Sequence, residues 1–243
     1  MTKRLFPTFL IWIHACSVTA IGQSVSQRGI PLERPQNLNN NSRFGWSVAT
    51  HGDVAAVGDW NQGAVYLYGR RNETWRQWEM LTPDNTRRAL RFGHSLDVHG
   101  GTLLVGALEG RNEGAVYVYD AGPDGWIQVQ RLTPSERASL FGVSVALHDD
   151  TAVIGSREGA LIFERHDGEW SESQTLALVG DASGVAVAIT QEFVFVGSEE
   201  ENAGNGAVYV YRRSDDGWVE DGTLSAQDGA AGDQFGASVT AFG

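Results

Sequence analysis

The sequence is poor in cysteine, methionine, proline and positive charge. Its 243 residues include one cysteine, two methionines and six prolines, and 18 lysines and arginines stand against 30 aspartates and glutamates. A single cysteine supports neither a disulfide framework nor a thiolate metal site. The formal charge of −12 argues against general nucleic-acid binding, which needs a basic surface. The sequence also lacks H-E-x-x-H, P-loop and dinucleotide-binding signatures.

The first residues have the order of a secretory leader. Lys3 and Arg4 precede an apolar run, Leu5–Ile13, and small residues follow as far as Gly22. Such a run is too short to span a bilayer as a mature helix. We predict a signal peptide at residues 1–22 and a mature chain without a transmembrane segment that is secreted, periplasmic or on the cell surface. In the alternative, Cys16 ends a lipobox-like sequence and bears a lipid anchor.

Residues 23–43 follow the leader and are polar. They include Pro31, Pro35 and a run of asparagines, and no hydrophobic period supports a helix. We predict a linker with room for one edge strand near Leu32–Leu38.

The rest of the chain repeats one pattern. Copies begin at residues 44, 92, 141, 183 and 235, at intervals of 42 to 52 residues. A period of about 40–50 residues built of short strands is typical of a propeller. The repeats occupy residues 44–243, with units near 44–82, 92–133, 141–178 and 183–226 and a partial unit at 235–243.

Each unit contains four short apolar segments separated by turn-forming residues. In the first unit these segments are 45–50, 54–57, 64–68 and 75–81. In the second unit Val116 and Val118 alternate with Tyr117 and Tyr119, so both faces of that strand are apolar and need cover. Stacked blades provide cover on both faces. The sequence therefore predicts an all-β propeller of four-stranded antiparallel blades, with about four blades present in an incomplete, open array.

Several residues recur once per unit, which favours structural roles. Ser47, Ser144 and Ser238 lack the strand–turn–helix of a nucleophile elbow. The recurrent tryptophans are predicted to fill space between blades: Trp75, Trp126, Trp170 and Trp218. Glycines at the entry to each first strand are predicted to permit close backbone approach: Gly45, Gly93, Gly142, Gly184 and Gly236. Glycines ending each second strand are predicted to adopt turns with positive φ: Gly58, Gly106, Gly155 and Gly197.

The blocks Phe-Gly-x-Ser-Val and Gly-Ala-Val-Tyr-Val-Tyr resemble the FG-GAP repeats of integrin α-subunit propellers and their bacterial relatives. The resemblance covers residues 44–243, and its blocks recur in the same order in four units. It implies a propeller, usually of seven blades, that is exposed outside the cell and contacts proteins or glycans. Four units fall short of seven, so the resemblance also implies a fragment of a longer propeller.

Many members of that family have a calcium loop between the first and second strands of a blade. Here the corresponding links are as short as His51-Gly52-Asp53 and His148-Asp149-Asp150. Calcium needs several oxygen ligands from a longer loop, so we predict no calcium, other metal or cofactor. His51, His99 and His148 share one repeat position, and we predict that they lie too far apart to share a metal ion.

We predict a non-catalytic interaction scaffold. Binding is expected in the loops between second and third strands and between units, because loops on a rigid scaffold usually bear the binding residues. The candidate residues in these loops are Asp59, Trp60, Arg87, Arg88, Glu109, Arg111, Glu136, Arg137, Glu199, Glu200 and Asn205. The partner is an unknown protein or glycan. Two alternatives remain: the propeller part of a larger secreted enzyme, and a glycan-binding propeller, to which exposed aromatics such as Trp60 point.

Overall fold

The computed structural model describes residues 32, 35, 36, 38–72, 74–83, 91–109, 113–177 and 185–242. These residues belong to one unit of the chain, Pro31–Gly243. The predicted signal peptide, residues 1–22, and the alternative anchor at Cys16 lie outside the described residues. In the region predicted to hold an edge strand, the described residues 32, 35, 36 and 38 are not in a strand.

The described chain forms four antiparallel sheets of four strands each, in the order of the sequence. The first sheet consists of β1 to β4, at Ser47–His51, Val54–Asp59, Ala64–Arg71 and Thr74–Leu81. The second consists of β5 to β8, at Ser95–His99, Thr102–Glu109, Glu113–Gly122 and Gly125–Leu132. The third consists of β9 to β12, at Val145–His148, Thr151–Ser156, Gly159–His166 and Glu169–Ala177. The fourth consists of β13 to β16, at Ala186–Ile189, Phe193–Ser198, Ala207–Ser214 and Gly217–Leu224, with a short helix α1, Glu201–Gly204, between β14 and β15.

These sheets are the predicted blades, and their facing surfaces form the core. We call the surface of a sheet that points to the next sheet along the chain its front face, and the opposite surface its back face. Leu67 and Leu81 on the front of the first sheet pack with Phe92, Tyr117 and other residues on the back of the second. Equivalent clusters join the second sheet to the third and the third to the fourth. Both faces are apolar because each inner sheet has two neighbours.

Hydrogen bonds from serine side chains also join neighbouring sheets, and we call each such contact between sheets a latch. Ser47 Oγ donates to the carbonyl of Gly93 at 2.7 Å, and Ser95 Oγ donates to that of Gly142 at 2.8 Å. Ser144 Oγ makes the same contact with the carbonyl of Val185. The hydroxyls therefore have the structural role that their recurrence predicted.

The prediction of positive φ at the second-strand glycines is wrong. Gly58, Gly106, Gly155 and Gly197 lie within strands and are not among the residues with positive φ. A Cβ on Gly106 would lie within 3.0 Å of Ser95 Oγ and of the Gly142 carbonyl. Close approach to the next sheet is therefore what requires glycine here. Four entry glycines have positive φ instead: Gly45, Gly93, Gly142 and Gly236, with 85° at Gly93. The fifth, Gly184, lies outside the described residues.

A second kind of latch, formed by glutamine side chains, joins the outermost strands of neighbouring sheets. Gln130 Oε1 accepts from the amide of Trp170 at 2.9 Å, and Gln130 Nε2 donates to the Trp170 carbonyl at 2.7 Å. Gln174 makes the same pair of bonds with Trp218. Trp126, Trp170 and Trp218 are buried between sheets, as predicted. Trp75 differs, because it is half-buried on the back of the first sheet.

The fourth sheet departs from this pattern on its front face. Ala186 occupies the position of the latch serine and Gly222 that of the latch glutamine. Leu224 is 37 % exposed, whereas its counterparts Leu81 and Leu132 are buried. Extensive contacts between first strands link β1 to β5, β5 to β9 and β9 to β13, and none of that extent links β13 to β1 in the described residues. The blades form an open series.

Candidate functional site

An aromatic cluster lies at the end of the first sheet where the chain enters β1. We call Trp46, Trp60, Arg91 and His94 the entry cluster. The indole rings of Trp46 and Trp60 meet edge to face with centroids 5.7 Å apart, and the Trp46 and His94 rings lie 5.8 Å apart. The Arg91 guanidinium lies over the Trp60 ring, 5.2 Å from its centroid. Trp46 remains 54 % exposed, which is unusual for so large an apolar side chain.

Three separate segments bring these residues together. Trp46 and His94 occupy the same repeat position, directly after an entry glycine, and each donates its amide to a carbonyl three residues earlier. Trp60 lies in the turn between β2 and β3, and Arg91 lies in the connection between the first two sheets. The two predicted loop classes therefore do meet at one end of the blade.

Asp59 stabilises the turn that presents Trp60 by accepting hydrogen bonds. This carboxylate is buried and accepts from Ser42 Oγ, from the Arg43 amide at 2.8 Å and from Gln62 Nε2 at 3.1 Å. Burial alone would raise the pKa of Asp59, but these hydrogen bonds outweigh it and lower the pKa. Asp59 therefore positions the turn and is not available to a partner.

Carboxamides surround the same turn. Asn39 Nδ2 donates to Gln62 Oε1 at 3.4 Å, and Asn61 Nδ2 donates to the carbonyl of Asn41 at 2.6 Å. Asn39, Asn41 and Asn61 are exposed. The aromatic cluster thus has a polar rim with amide donors and acceptors.

The charge at the entry cluster resides on Arg91. This side chain is exposed and has no carboxylate within ion-pair distance among the described residues. Burial lowers the pKa of His94, and the nearby Arg91 lowers it further, although a hydrogen bond with the Val143 backbone acts in the opposite direction. His94 is therefore neutral near pH 7. Buried Trp60 Nε1 and His94 Nδ1 have no hydrogen-bond partner among the described residues.

The other predicted site residues are spread over the blades. Glu136 and Arg137 are exposed in the connection between the second and third sheets, and Glu200 is exposed beside the half-buried Glu199 before α1. Asn205 is half-buried, and its carbonyl accepts from the amide of Phe235 at 2.9 Å. Glu109 ends β6, and its side chain is not described. The remaining candidates lie outside the described residues: Arg87, Arg88 and Arg111.

A row of histidines lies at the opposite end of the first strands. His51 and His99 have ring centroids 4.6 Å apart, and His99 and His148 stack at 5.0 Å. The prediction that these side chains lie far apart is therefore wrong, because the first strands of neighbouring blades pack directly against each other.

The histidine row does not have the geometry of a metal site. His99 Nδ1 accepts the amide of Asp149 at 2.7 Å, so that lone pair is occupied. Burial lowers the pKa of His99, and His51 lowers it further. Within the described ranges no group of three or more histidine, cysteine, aspartate or glutamate residues is arranged to hold a metal ion. The same ranges contain no helix long and apolar enough to cross a membrane.

A family model with the description FG-GAP repeat matches residues 75–119 and 126–167. The chain contains FG-GAP repeats. Each match runs from the outermost strand of one blade through the third strand of the next. The repeat of the family model therefore starts at the fourth strand of a blade, whereas the units described above start before the first strand. A comparison with curated proteins gives no match.

Solved structures support the blade architecture. A putative 6-phosphogluconolactonase from Bacteroides uniformis superposes with a TM-score of 0.57 at 12% sequence identity, over 74% of this chain and 56% of that protein. The chain therefore spans little more than half the length of this neighbour. At this identity the likeness shows the fold alone.

Proposed function

We propose that this FG-GAP chain is a secreted or surface-exposed, non-catalytic interaction scaffold that binds its partner at the entry cluster. The observation on which the proposal depends is the exposed indole of Trp46, held rigidly by Trp60 and His94. A large, rigid, exposed aromatic side chain is a typical anchor of a binding site. The blade beneath it fixes its position.

The proposal treats the repeats as a support for this site. The recurrent serines and glycines are engaged between sheets, and the histidine nearest a carboxylate uses its Nδ1 for a backbone hydrogen bond. No nucleophile with a neighbouring base results from these contacts. The alternative of a propeller within a larger secreted enzyme has support only from the name of the lactonase neighbour, whose likeness extends to the fold.

The proposal can be tested on arrays of extracellular proteins and glycans. The full chain, its Trp46→Ala variant and its Trp78→Ala variant would be compared at equal concentration. Trp78 is 50 % exposed on β4, outside the entry cluster, and serves as the matched control. We expect signals that disappear with Trp46→Ala and persist with Trp78→Ala. Signals that do not depend on Trp46, or no signal at all, would contradict the proposal.

A further inference from the structure

We propose that the entry cluster binds an acidic oligosaccharide, with a sugar ring stacked on Trp46 and its carboxylate on Arg91. This inference rests on the proposed function and names the class of ligand. It combines an exposed indole, a guanidinium with no carboxylate partner among the described residues, and nearby carboxamides, all at the same end of the first sheet.

The exposed indole selects for a flat, weakly polar surface. One face of a pyranose ring presents C–H groups, which carry a slight positive charge and match the negative face of an aromatic ring. The pyranose hydroxyls point outward from the ring edge. Asn61 lies on the turn beside Trp60, and Asn39, which precedes β1, bonds to Gln62 of that turn. Carboxamides can exchange hydrogen bonds with hydroxyl groups.

The guanidinium selects for a negative charge. Arg91 lies over Trp60, and Trp60 in turn contacts Trp46, so the cation and the exposed ring both adjoin Trp60. Among the described residues no carboxylate neutralises it. In a chain with a formal charge of −12, such a lone cation beside an aromatic surface favours a ligand that supplies the missing carboxylate. A planar guanidinium binds a carboxylate through two parallel hydrogen bonds.

The contact between Arg91 and Trp60 also fixes the guanidinium in place. Arg91 adopts a φ of 58°, and its carbonyl accepts the amide of His94. The backbone that presents the cation is therefore tied to His94, the residue directly before β5. Fixed groups lose little freedom on binding, which favours affinity.

The test uses a trimer of galacturonic acid and the neutral galactose trimer of the same linkage as probes. Binding to the full chain would be measured by calorimetry. Because a charge-assisted hydrogen bond contributes more than a neutral one, we expect the acidic trimer to bind at least about tenfold more tightly. High salt should weaken the acidic trimer selectively, since screening acts on exposed charges.

Variants separate the two contacts. Arg91→Gln should abolish the preference for the acidic trimer, and Arg91→Lys should retain part of it. Trp46→Ala should weaken both trimers at least about tenfold. Trp78→Ala and Arg76→Gln alter exposed residues of β4 and should change neither affinity.

Two results would overturn the inference. If the neutral trimer binds equally well, or the acidic preference survives in Arg91→Gln, the carboxylate contact is wrong, while Trp46-dependent binding still supports the scaffold proposal. If neither trimer binds but the arrays show other Trp46-dependent partners, the ligand class is wrong and the site is right. If the arrays show none either, both proposals fail.

Discussion

Replacing Gly106 by alanine should loosen the joint between the second and third sheets. The new Cβ would lie within 3.0 Å of both Ser95 Oγ and the Gly142 carbonyl. The Gly142 carbonyl belongs to the backbone of the next blade, so relief requires the sheets to separate. Forced overpacking costs about 1–3 kcal/mol, and a buried serine hydroxyl that loses its acceptor adds about 1–3 kcal/mol.

The expected loss is therefore about 2–6 kcal/mol, which corresponds to about 4–24 °C in the melting temperature of a domain of this size. Thermal unfolding followed by circular dichroism would measure it. Ser95→Ala alone removes only the hydrogen bond, so it should cost about 0.5–1.5 kcal/mol.

Gly197→Ala provides a matched control at the same repeat position. Its Cβ would meet the carbonyl of Gly236, but Gly236 belongs to a largely exposed segment that forms no strand, so fewer contacts oppose its displacement than at Gly142. Ala186 also replaces the latch serine there, so we expect a loss below about 1 kcal/mol. If Gly106→Ala has the melting temperature of the wild type, or if Gly197→Ala loses as much stability as Gly106→Ala, close approach between sheets is not what requires glycine.

Further predictions concern latches, pH, metal and association. Gln130→Ala should cost about 1–3 kcal/mol in a denaturant titration because it leaves the Trp170 backbone groups unpaired; an unchanged midpoint would contradict the latch. Burial raises the pKa of Asp97 to about 6. The native state then binds the proton more tightly than the unfolded state, so this group's contribution to stability is complete below pH 3.8 and is lost as pH rises through 6. Between pH 4 and 7 the free energy of unfolding of the wild type should fall by up to about 3 kcal/mol relative to that of Asp97→Asn. Plots of unfolding free energy against pH that run parallel for the two proteins would refute this. A chelator should not change the melting temperature, because only two residues separate β1 from β2; a drop of many degrees would show a bound cation. The partly exposed front of the fourth sheet, which includes Leu224, should cause concentration-dependent association in size-exclusion chromatography, and Leu224→Glu should reduce it; a compact monomer at all concentrations would argue against an interactive face.

The fold could be predicted from the sequence because the repeat states it several times. The predicted segments of the first unit, 45–50, 54–57, 64–68 and 75–81, coincide with β1 to β4 to within three residues at each end. Alternating valines and tyrosines correctly indicated cover on both faces. Because the same pattern occurs in each unit, a copy that is ambiguous by itself can be interpreted from the others.

The site could be predicted only in part. Trp60 was identified because it lies in a loop, but the more exposed Trp46 shares a repeat position with His94 and Val143 and so resembled a structural residue. Its exposure depends on how neighbouring segments pack around it, which no local pattern encodes. Asp59 was predicted to bind a partner. It is instead buried and accepts hydrogen bonds from Ser42 and Arg43, which lie 17 and 16 residues earlier.

The open N-terminal side was also predicted incompletely. An incomplete, open array implies that both terminal blades expose an apolar face. The back of the first sheet is instead covered by Leu32, Leu38 and Phe44, which pack on Tyr66 and Tyr68. The linker prediction missed this contact because two leucines in a polar segment give no periodic signal.

The latches bond each sheet only to its immediate neighbours, so loss of order should spread from sheet to sheet. The fourth sheet has latches on its back face and none of these residues on its front. Its backbone amides should exchange with deuterium first, through openings that leave the rest intact. The second and third sheets are both latched on two sides, and the second, which lies farther from the fourth, should protect its amides longest. Amide exchange along the chain would then fall in steps at blade boundaries, as expected for a linear array of coupled units.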